Sequence, residues 1–304
     1  MTGAHPTDAR LAVFEAERPK LLGLAYRLLG ALGDAEDVVQ DAWLRWSRID
    51  DETFAAIERP GAWLTTTVSR LGLDRLRTRR RDRVDYVGPW LPEPLVRPMA
   101  ADDPERAAEV ADSLTTAFLL LLERLTPDER LVLLLVDVFA EPFATAAELV
   151  GKSPDATRQL AVRARRKLTD RPVAHRTPPR EQLAIASAFV GAVLSGDMST
   201  VVSMLAPDAV LTSDGGARQH AARRPVTGPD KIARFLVNVT RRLPEGATMQ
   251  PVWVNGSPGV LISSRRGRPL MVNVVDVEGD LVVRQYSILN PDKLAAVGRS
   301  IELV

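Results

Sequence analysis

Apolar residues in the first quarter of the chain recur every three or four positions, which is the spacing of amphipathic helices. The pattern predicts a helix over residues 8–29, a second helix capped by Asp34, and a third helix over residues 63–83. Residues 49–60 interrupt the pattern and are expected to form a loop. Three helices with short connections predict a helical domain over residues 8–84.

The second helix has two faces of different character. Its buried stripe is expected to contain four residues at helical spacing, namely Val39, Ala42, Trp43 and Trp46. The opposite face carries polar residues and one leucine, namely Asp37, Gln40, Asp41 and Leu44. A leucine on an acidic face suits a protein interface, although single exposed leucines are common on protein surfaces.

The third helix is basic on the side that faces away from its core, where Leu64, Val68 and Leu71 are expected to pack. The far side combines aromatic, hydroxyl and guanidinium groups, namely Trp63, Thr66, Arg70, Leu73 and Arg77, and the basic run also includes Arg75 and Arg80. Such groups can stack on bases and hold phosphates, so this side is a candidate nucleic-acid surface. A competing interpretation places Trp63 in the core, which is the more common position for a tryptophan at a helix start.

A second helical part follows a segment rich in proline. Residues 85–105 lack periodicity and predict a linker. Residues 106–172 then show helical patterns, with Thr126 as the cap of one helix and a tight turn at Gly151 between the last two. Two short helices around a glycine turn are typical of a helix-turn-helix, whose second helix lies in the major groove of DNA.

The last helix of this part is expected to read DNA. Leu160, Ala164 and Leu168 face its core. The outward surface therefore carries Arg158, Gln159, Val162, Arg165 and Arg166. Arg158 and Gln159 lie near the helix start, and their side chains can make bidentate contacts with guanine and adenine edges. Arg165 and Arg166 lie further along the helix and are better placed for phosphates.

The remainder of the chain changes from helical to strand periodicity. Residues 173–180 contain prolines and predict a hinge. Residues 181–304 begin with helical patterns and continue with strand-like segments, the last two of them joined by a hairpin turn over residues 278–280. This order predicts helices packed on a curved antiparallel sheet, an α+β domain.

Composition narrows the classes of function. The chain has 304 residues, a net charge of +1 and no cysteine, which excludes disulfides, thiol nucleophiles and iron–sulfur sites. Its three histidines are far apart, so no metal and no cofactor are expected. No stretch is apolar enough to cross a membrane, and the expected location is the cytoplasm. The basic residues concentrate in residues 70–83 and 152–171, which favours contact with a polyanion.

Several segments resemble one known family. Residues 34–44 (DAEDVVQDAWL) resemble region two of sigma factors, and residues 60–64 with the basic helix that follows continue that resemblance. Residues 145–168 resemble region four. The linker segment 86–94 (YVGPWLPEP) and the segment 290–294 (NPDKL) are more specific. Together they resemble extracytoplasmic-function sigma factors of the sigma-J type, which carry a fused C-terminal SnoaL-like (NTF2-like) domain.

The resemblance implies a fold class, a function and partners. The fold is multidomain, with two all-α sigma domains, a region 2 helical bundle and a region 4 helix-turn-helix, followed by an α+β SnoaL-like cone over residues 181–304. The function is that of a sigma factor and not of an enzyme. The partners are promoter DNA and the RNA polymerase core, through its β′ clamp helices and its β flap.

The same resemblance gives each candidate surface a role. Asp37, Gln40, Asp41 and Leu44 would contact the β′ clamp helices. Residues 48–59 would hold a flipped base of the melted minus-10 element, while Arg70, Arg75 and Arg77 follow the strand backbone. Arg158, Gln159 and Val162 would read the minus-35 element as duplex.

Two C-terminal segments are expected to regulate the sigma domains in cis. The first is Asp214, Gly215, Gly216, Ala217 and Arg218, where the family usually has Asp-Gly-Gly-Gly-Lys. The second is Asn290, Pro291, Asp292, Lys293 and Leu294, in which Asp292 and Lys293 offer charges to linker residues 86–94. Tethering by a short hinge raises the effective concentration of such a contact. A purely structural alternative has Asn290 and Pro291 turning the chain and Asp292 capping a short helix.

Two other functions stay open at this point. The C-terminal part could bind a small molecule or act as an isomerase-like or cyclase-like enzyme, with Asp214, His220 and Asp276 as candidate acids or bases. The helix-turn-helix could instead belong to a repressor or activator that works without polymerase, but this interpretation leaves residues 34–44 unexplained.

Overall fold

The computed structural model describes residues 6–82, 86–99, 114–169 and 177–299. Parts of several predicted segments lie outside these ranges: residues 83–85, 100–113, 170–176 and 300–304, which include much of the predicted linker, the start of the second helical part and most of the hinge. The side chain of Arg80, a candidate for DNA binding, also lies outside the described part. The chain divides into two compact units, the first formed mainly by residues 1–84 and 121–171, the second by residues 85–120 and 172–301.

The first unit begins with a helical bundle. Its helices are α1 (Pro6–Leu29), α2 (Leu32–Ser47), α3 (Asp51–Ala56) and α4 (Pro60–Asp82). Most of the residues expected in the core from the helical spacing are buried, among them Leu21, Leu24, Leu28, Val39, Ala42, Trp46, Leu64 and Val68, whereas Leu71 is only partly buried. Trp43 is only partly buried and packs on Phe14, with 5.0 Å between ring centroids. The predicted all-α architecture of this part is confirmed.

Two boundaries in this bundle differ from the prediction. Helix α2 begins at Leu32 after the N-cap Ala31, so Asp34 is not the cap. It lies in the first turn, where a carboxylate is stabilised by the helix dipole. The stretch predicted as a loop contains α3, because the Asp50 side chain accepts a hydrogen bond from the Thr53 amide at 2.8 Å and starts the helix.

The second part of this unit is also helical. It comprises α6 (Pro127–Leu133), a π-helix over Leu134–Val138, α7 (Phe143–Val150) and α8 (Pro154–Thr169), preceded in the chain by α5 (Thr116–Leu122). Thr126 and Glu129 form the predicted capping box at the start of α6. Gly151 ends α7 in the left-handed conformation, with φ of 65°, and turns the chain into α8 as the helix-turn-helix outline requires.

A buried arginine joins the two helical parts. Arg130 of α6 is 2% exposed. Its guanidinium donates to the Leu28 carbonyl of α1 at 2.7 Å and to the Leu122 carbonyl at 2.9 Å, and it pairs with Glu123 at 2.5 Å. These bonds satisfy a buried charge, whose desolvation would otherwise be costly.

Within the described residues, the second unit combines helices with one sheet. The helices are α9 (Pro179–Ser195), α10 (Met198–Ser203), α11 (Pro229–Thr240) and the short α12 (Pro291–Leu294). The strands are β1 (Val96–Pro98), β2 (Leu205–Asp214), β3 (Val226–Thr227), β4 (Thr248–Val254), β5 (Ser257–Ser263), β6 (Pro269–Glu278) and β7 (Leu281–Ile288), in the spatial order β1-β4-β5-β6-β7-β2-β3. The α+β architecture is confirmed. The sheet is mixed and not antiparallel as predicted, because β2 and β7 run parallel.

The sheet buries apolar side chains on both faces. The face that we call inner packs on the helices through a core that includes Phe189, Leu211, Ile232 and Val275. The face that we call outer carries Val252, Val254, Val272, Val274, Tyr286 and Ile288, which pack with Leu91 and with Leu294 of α12. Since neighbouring residues of a strand point to opposite faces, β6 and β7 each serve both cores.

The linker segment is part of this second core. The sequence predicts no regular structure here, yet β1 pairs with β4, and Leu91 is 0% exposed. Asn255 makes two hydrogen bonds to Leu95. Its side-chain oxygen accepts from the Leu95 backbone N–H at 2.8 Å, and its backbone N–H donates to the Leu95 carbonyl at 3.0 Å. The edge of the sheet supplies partners that no local pattern in residues 86–99 reveals.

Candidate nucleic-acid interface and linker clamp

The expected polymerase surface on α2 is exposed. Asp37, Gln40, Asp41 and Leu44 all lie on the solvent side of the helix, and Leu44 is 39% exposed. Asp37 is not isolated, because Arg75 of α4 lies 3.4 Å from its carboxylate and 2.8 Å from that of Asp34. Asp41 lies one turn further along and gives the surface its remaining acidic group.

The far side of α4 differs from the prediction at two residues. Trp63 is partly buried and packs on Trp46, with 5.2 Å between ring centroids, so the competing core interpretation describes it better than an open base platform does. Leu73 is only 2% exposed and belongs to the core. Helix α4 contacts α1 and α2 on one side and α6 and α7 on the other, and a helix covered from several directions has no single apolar stripe.

Three arginines of α4, Arg70, Arg75 and Arg77, are exposed but are paired with carboxylates. Arg70 lies 2.8 Å from Glu148 of α7, and Arg77 lies 2.9 Å from Asp128 of α6. Arg75 is held by Asp34, and this hydrogen bond raises the pKa of the guanidinium. Groups that are suited to phosphates are therefore engaged by acidic side chains of the same unit.

The candidate reading helix α8 presents its predicted face. Arg158, Gln159, Val162, Arg165 and Arg166 are all exposed, with Val162 at 60%, while Leu160 and Ala164 are buried. Arg158 pairs only locally with Asp155, at 2.6 Å. Arg165 makes two hydrogen bonds to Asp137 of the π-helix, at 2.8 and 2.5 Å, and this contact raises its pKa. Arg158 and Gln159 are thus the more accessible polar pair near the helix start.

In the second unit, the Asp214 carboxylate is the centre of a cluster that binds the linker segment. Asp214 is the last residue of β2 and is 0% exposed. Its Oδ2 atom accepts from the Leu91 amide at 2.8 Å and lies 2.6 Å from Lys293 Nζ, and its Oδ1 atom accepts from Tyr86 at 2.6 Å. The Gly216 amide adds a fourth bond at 3.1 Å. Four donors compensate the buried negative charge.

Lys293 and Asn290 complete this cluster from α12. The Lys293 ammonium also donates to the Leu91 carbonyl and lies 4.4 Å from the centroid of the Trp90 ring. Asn290 donates to the Tyr86 hydroxyl at 2.9 Å, and its side chain, not that of Asp292, caps α12. Burial and the bond to Asp214 raise the pKa of Tyr86, so its hydroxyl stays protonated and donates. We call Tyr86, Leu91, Asp214, Asn290 and Lys293 the linker clamp.

The two glycines of this loop are required by close packing. A Cβ atom on Gly215 would lie 2.5 Å from the Gln219 carbonyl oxygen, and one on Gly216, whose φ is 57°, would lie 2.7 Å from the Asn290 side chain. Ala217 has no such constraint, because it is exposed and does not adopt a positive φ. Arg218 pairs with Asp292 at 3.2 Å on the surface. The departure from the family pattern therefore leaves the clamp intact.

The inner face of the sheet borders a cavity. Among the described residues it is lined by side chains of α9, α11 and β4 to β7 and by Ser213 of β2, with His220 and Ala221 from the loop after β2. Of the three candidate acids or bases, only His220 lines it. Asp214 is engaged in the clamp, and Asp276 accepts a hydrogen bond from Tyr286, whose ring belongs to the outer core.

Several contributors escaped sequence reasoning. The family resemblance named residues 86–94 as a partner of residues 290–294. The bonds from Tyr86 and Leu91 to Asp214, more than 120 positions away, follow from no local pattern. Ser213 and Gln285 of the cavity lie at ordinary strand positions. Within the described ranges, no group of three or more histidine, aspartate or glutamate side chains could hold a metal ion. None of the helices in those ranges is long and apolar enough to cross a membrane.

Comparison with known proteins identifies the family. Residues 13–82 match the model of Sigma-70 region 2, and residues 115–168 match that of Sigma-70, region 4. The ECF RNA polymerase sigma factor SigJ of Mycobacterium tuberculosis is 40% identical over 289 residues, which are 92% of this chain and 91% of SigJ. SigI, a probable ECF RNA polymerase sigma factor of the same species, is 30% identical over 296 residues, which are 94% of this chain and 95% of SigI.

A solved structure supports the same conclusion. The crystal structure of Mycobacterium tuberculosis SigJ matches with a TM-score of 0.74 at 37% identity, and the match covers 95% of this chain and 100% of that one. The likeness therefore extends beyond the two sigma regions to the second unit. The chain belongs to the extracytoplasmic-function (ECF) RNA polymerase sigma factors.

Proposed function

We propose that this sigma factor brings the RNA polymerase core to its promoters through three surfaces of the first unit and is regulated in cis through the linker clamp. The exposed acidic face of α2 binds the β′ clamp helices. The arginines of α4 follow the minus-10 strand, and α8 reads the minus-35 element, with region 4 also contacting the β flap. As a subunit of RNA polymerase it works in the cytoplasm.

The observation that carries the regulatory part is the buried charge pair of Asp214 and Lys293 on the linker segment. A linker that only spans two domains has no need of an ion pair, a tyrosine hydroxyl and a strand pairing to hold it. The segment it binds leads from the minus-10 domain towards region 4. Holding or releasing it changes the length of chain available between the two regions, and hence the promoter spacings that they can reach together.

The cavity and its surroundings support a role other than catalysis. A general acid or base must reach the reacting group. Asp214 and Asp276 are engaged on the outer side of the sheet. His220 is exposed and has no acidic partner among the residues that the structure describes. We therefore propose that the second unit controls the sigma domains and catalyses no reaction.

The polymerase surface is tested by charge reversal. We expect Asp41→Lys to reduce binding of the purified chain to core RNA polymerase at least tenfold, because the reversed charge opposes a complementary interface. Asp41 is preferable to Asp37, whose change would also release Arg75. Glu52→Lys on the exposed α3 makes the same change of net charge and serves as the control. Equal binding by both variants would refute the assignment.

The regulatory role is tested by transcription in vitro. We expect Lys293→Met to change transcript yield from a cognate promoter at least threefold at equal occupancy of core polymerase. Arg218→Met removes a cation from the neighbouring exposed pair and should leave the yield unchanged. If both variants transcribe like the unaltered chain while hydrogen exchange shows that the linker segment is released in Lys293→Met, the clamp is structural only.

A further inference from the structure

The cavity on the inner face of the sheet has the size and the walls of a small-molecule site. Its volume is about 310 Å³, at the lower end of the range for ligand pockets of roughly 300–1,000 Å³. The walls are mostly apolar, with aromatic and aliphatic side chains from α9, α11, β5 and β6, among them Phe189, Phe235, Leu236, Ile262 and Met271. Leu194 and His220 line it and are exposed, so the cavity opens to solvent beside them.

One region of the sheet beneath this cavity is polar. Ser213 of β2 lies opposite Ser287 of β7, which in turn lies opposite Asn273 of β6, so three polar side chains form a row across adjacent strands. The Ser287 hydroxyl donates to the Asn273 side chain at 2.7 Å. Gln285 lies two positions along β7, on the same face. All four side chains line the cavity.

Two members of this polar group have unused hydrogen-bonding capacity. Ser213 is 1% exposed and Gln285 is 4% exposed, yet Ser213 Oγ and Gln285 Oε1 have no hydrogen-bond partner among the residues that the structure describes. Buried polar atoms are nearly always paired, and an unpaired one costs about 1–3 kcal/mol. Apolar side chains would fit these strand positions without that cost. Their polarity is explained if a bound molecule supplies the missing partner.

From these observations we propose that the cavity is a binding site for an uncharged, largely apolar small molecule with a hydroxyl or N–H group at one end, bonded to Ser213 and Gln285. The Gln285 oxygen requires a donor, and the Ser213 hydroxyl can donate or accept. The walls favour an uncharged ligand, since no aspartate, glutamate, lysine or arginine occurs among the described residues that line the cavity, and His220 lies where it opens to solvent. A charge buried there would lose its hydration without compensation.

A matched pair of fluorescent probes tests the site on the full-length chain. N-phenyl-1-naphthylamine is uncharged and apolar and has one N–H group, and 1-anilinonaphthalene-8-sulfonate has the same skeleton with a sulfonate. We expect the uncharged probe to bind with a stoichiometry of one and a large rise in emission. The sulfonate should bind at least tenfold more weakly. Absence of saturable binding by the uncharged probe, or equal binding of both, would overturn the proposal.

Two variants locate the polar end of the site. Gln285→Leu and Ser213→Ala should each raise the Kd of the uncharged probe about fivefold to tenfold, because the probe N–H then loses one of its two acceptors. Gln250→Leu makes the same substitution as the first variant at an exposed position of β4 outside the cavity and should leave the Kd unchanged. Unchanged affinity in both cavity variants would refute the role of Ser213 and Gln285.

The melting temperature separates a binding role from a structural one. If Gln285 serves the ligand, Gln285→Leu removes an unpaired buried amide and should not lower the melting temperature of the free chain. A clear fall would mean that Gln285 stabilises the fold, and the proposal would then be wrong for this residue. Neither the melting temperature nor the comparison of the two probes depends on transcription. A failure of the ligand proposal can therefore be distinguished from a failure of the proposed function.

Discussion

Lys293 Nζ lies 2.6 Å from Asp214 Oδ2, and both side chains are withdrawn from solvent, with 11% and 0% of their surface exposed. A buried ion pair persists mainly because breaking it would leave a charge without a partner in the protein interior. Removing one partner leaves the other charge buried and uncompensated, which costs about 3–5 kcal/mol. We therefore expect the pair to contribute to holding the linker segment on the sheet, beside the pairing of β1 with β4.

The first prediction concerns this pair. Lys293→Met should increase amide hydrogen exchange over residues 86–98 by at least tenfold, because the Leu91 amide loses the organised carboxylate that accepts its bond. Adding Asp214→Asn to that variant should recover part of the protection, since no buried charge then remains unpaired. Arg218→Met, which breaks an exposed pair, is the control. Equal protection in the unaltered chain and in all three variants would show that the pair does not hold the segment.

The second prediction concerns the carboxylates that engage the α4 arginines. Glu148→Gln with Asp128→Asn should raise affinity for promoter DNA about twofold to fivefold, since exposed ion pairs contribute only about 0.2–1 kcal/mol each. The gain should shrink as salt is added, and fluorescence anisotropy would measure both effects. Glu181→Gln with Asp208→Asn makes the same change of charge in the second unit. A similar gain in that control would mean that net charge alone is responsible.

The third prediction separates base reading from phosphate contact on α8. Arg158→Ala should cost about 1–3 kcal/mol at one base position of the minus-35 element and little on DNA altered at that position. Arg166→Ala should weaken binding to both sequences alike. Electrophoretic competition with a set of single-base substitutions would distinguish them. Uniform weakening by both variants would demote Arg158 to a phosphate contact.

The fourth prediction uses the capping box of α6. Burial alone would raise the pKa of Glu129, but hydrogen bonds from Lys167 and Thr126 outweigh it and lower the pKa below the usual value. A lowered pKa in the folded state stabilises the protein at neutral pH, and that contribution is lost as the pH falls through the lowered value. Glu129→Gln should therefore lower the free energy of unfolding by about 0.5–2 kcal/mol at pH 7.

The pH dependence of that difference is the sharper test. It should begin to shrink below about pH 4.3, the ordinary carboxyl pKa, because Glu129 of the unfolded chain then binds a proton. It should continue to shrink as the pH falls through the lowered pKa of the folded state. Urea denaturation at pH 7, 5 and 3.5 measures it, within the pH range in which both proteins are folded. A difference that stays constant over that range would show that the charge of Glu129 does not contribute.

Local signals in the sequence predicted much of the fold. The spacing of Leu160 and Ala164, the cap at Thr126 and the turn at Gly151 each depend on neighbours within a few positions, and the structure has all three as expected. The helix α3 was also accessible, since Asp50 followed by acidic residues is a helix start that the loop prediction overlooked. Interactions within one helical turn are visible in a sequence.

Interactions between distant segments account for the errors. Leu73 is buried because α4 is covered by helices from two parts of the chain, and residues 96–98 form a strand because β4 offers an edge. The family resemblance named Lys293 as a partner of the linker, but its bond to Asp214 depends on β2 and α12 meeting in space. Residues that meet only in the folded chain require the structure.

The alternation of side chains along β2 has a consequence for control. Ser213 faces the cavity, and the next residue, Asp214, holds the linker on the other side of the sheet. Where two binding events that share one strand are coupled by a free energy, thermodynamics makes that coupling reciprocal. If an occupant of the cavity weakens linker docking by a given factor, undocking of the linker must strengthen binding of that occupant by the same factor. Promoter DNA or polymerase that draws the linker away from the sheet would then change the affinity of the cavity for its ligand. Ligand binding in the second unit would thus respond to transcription as well as regulate it.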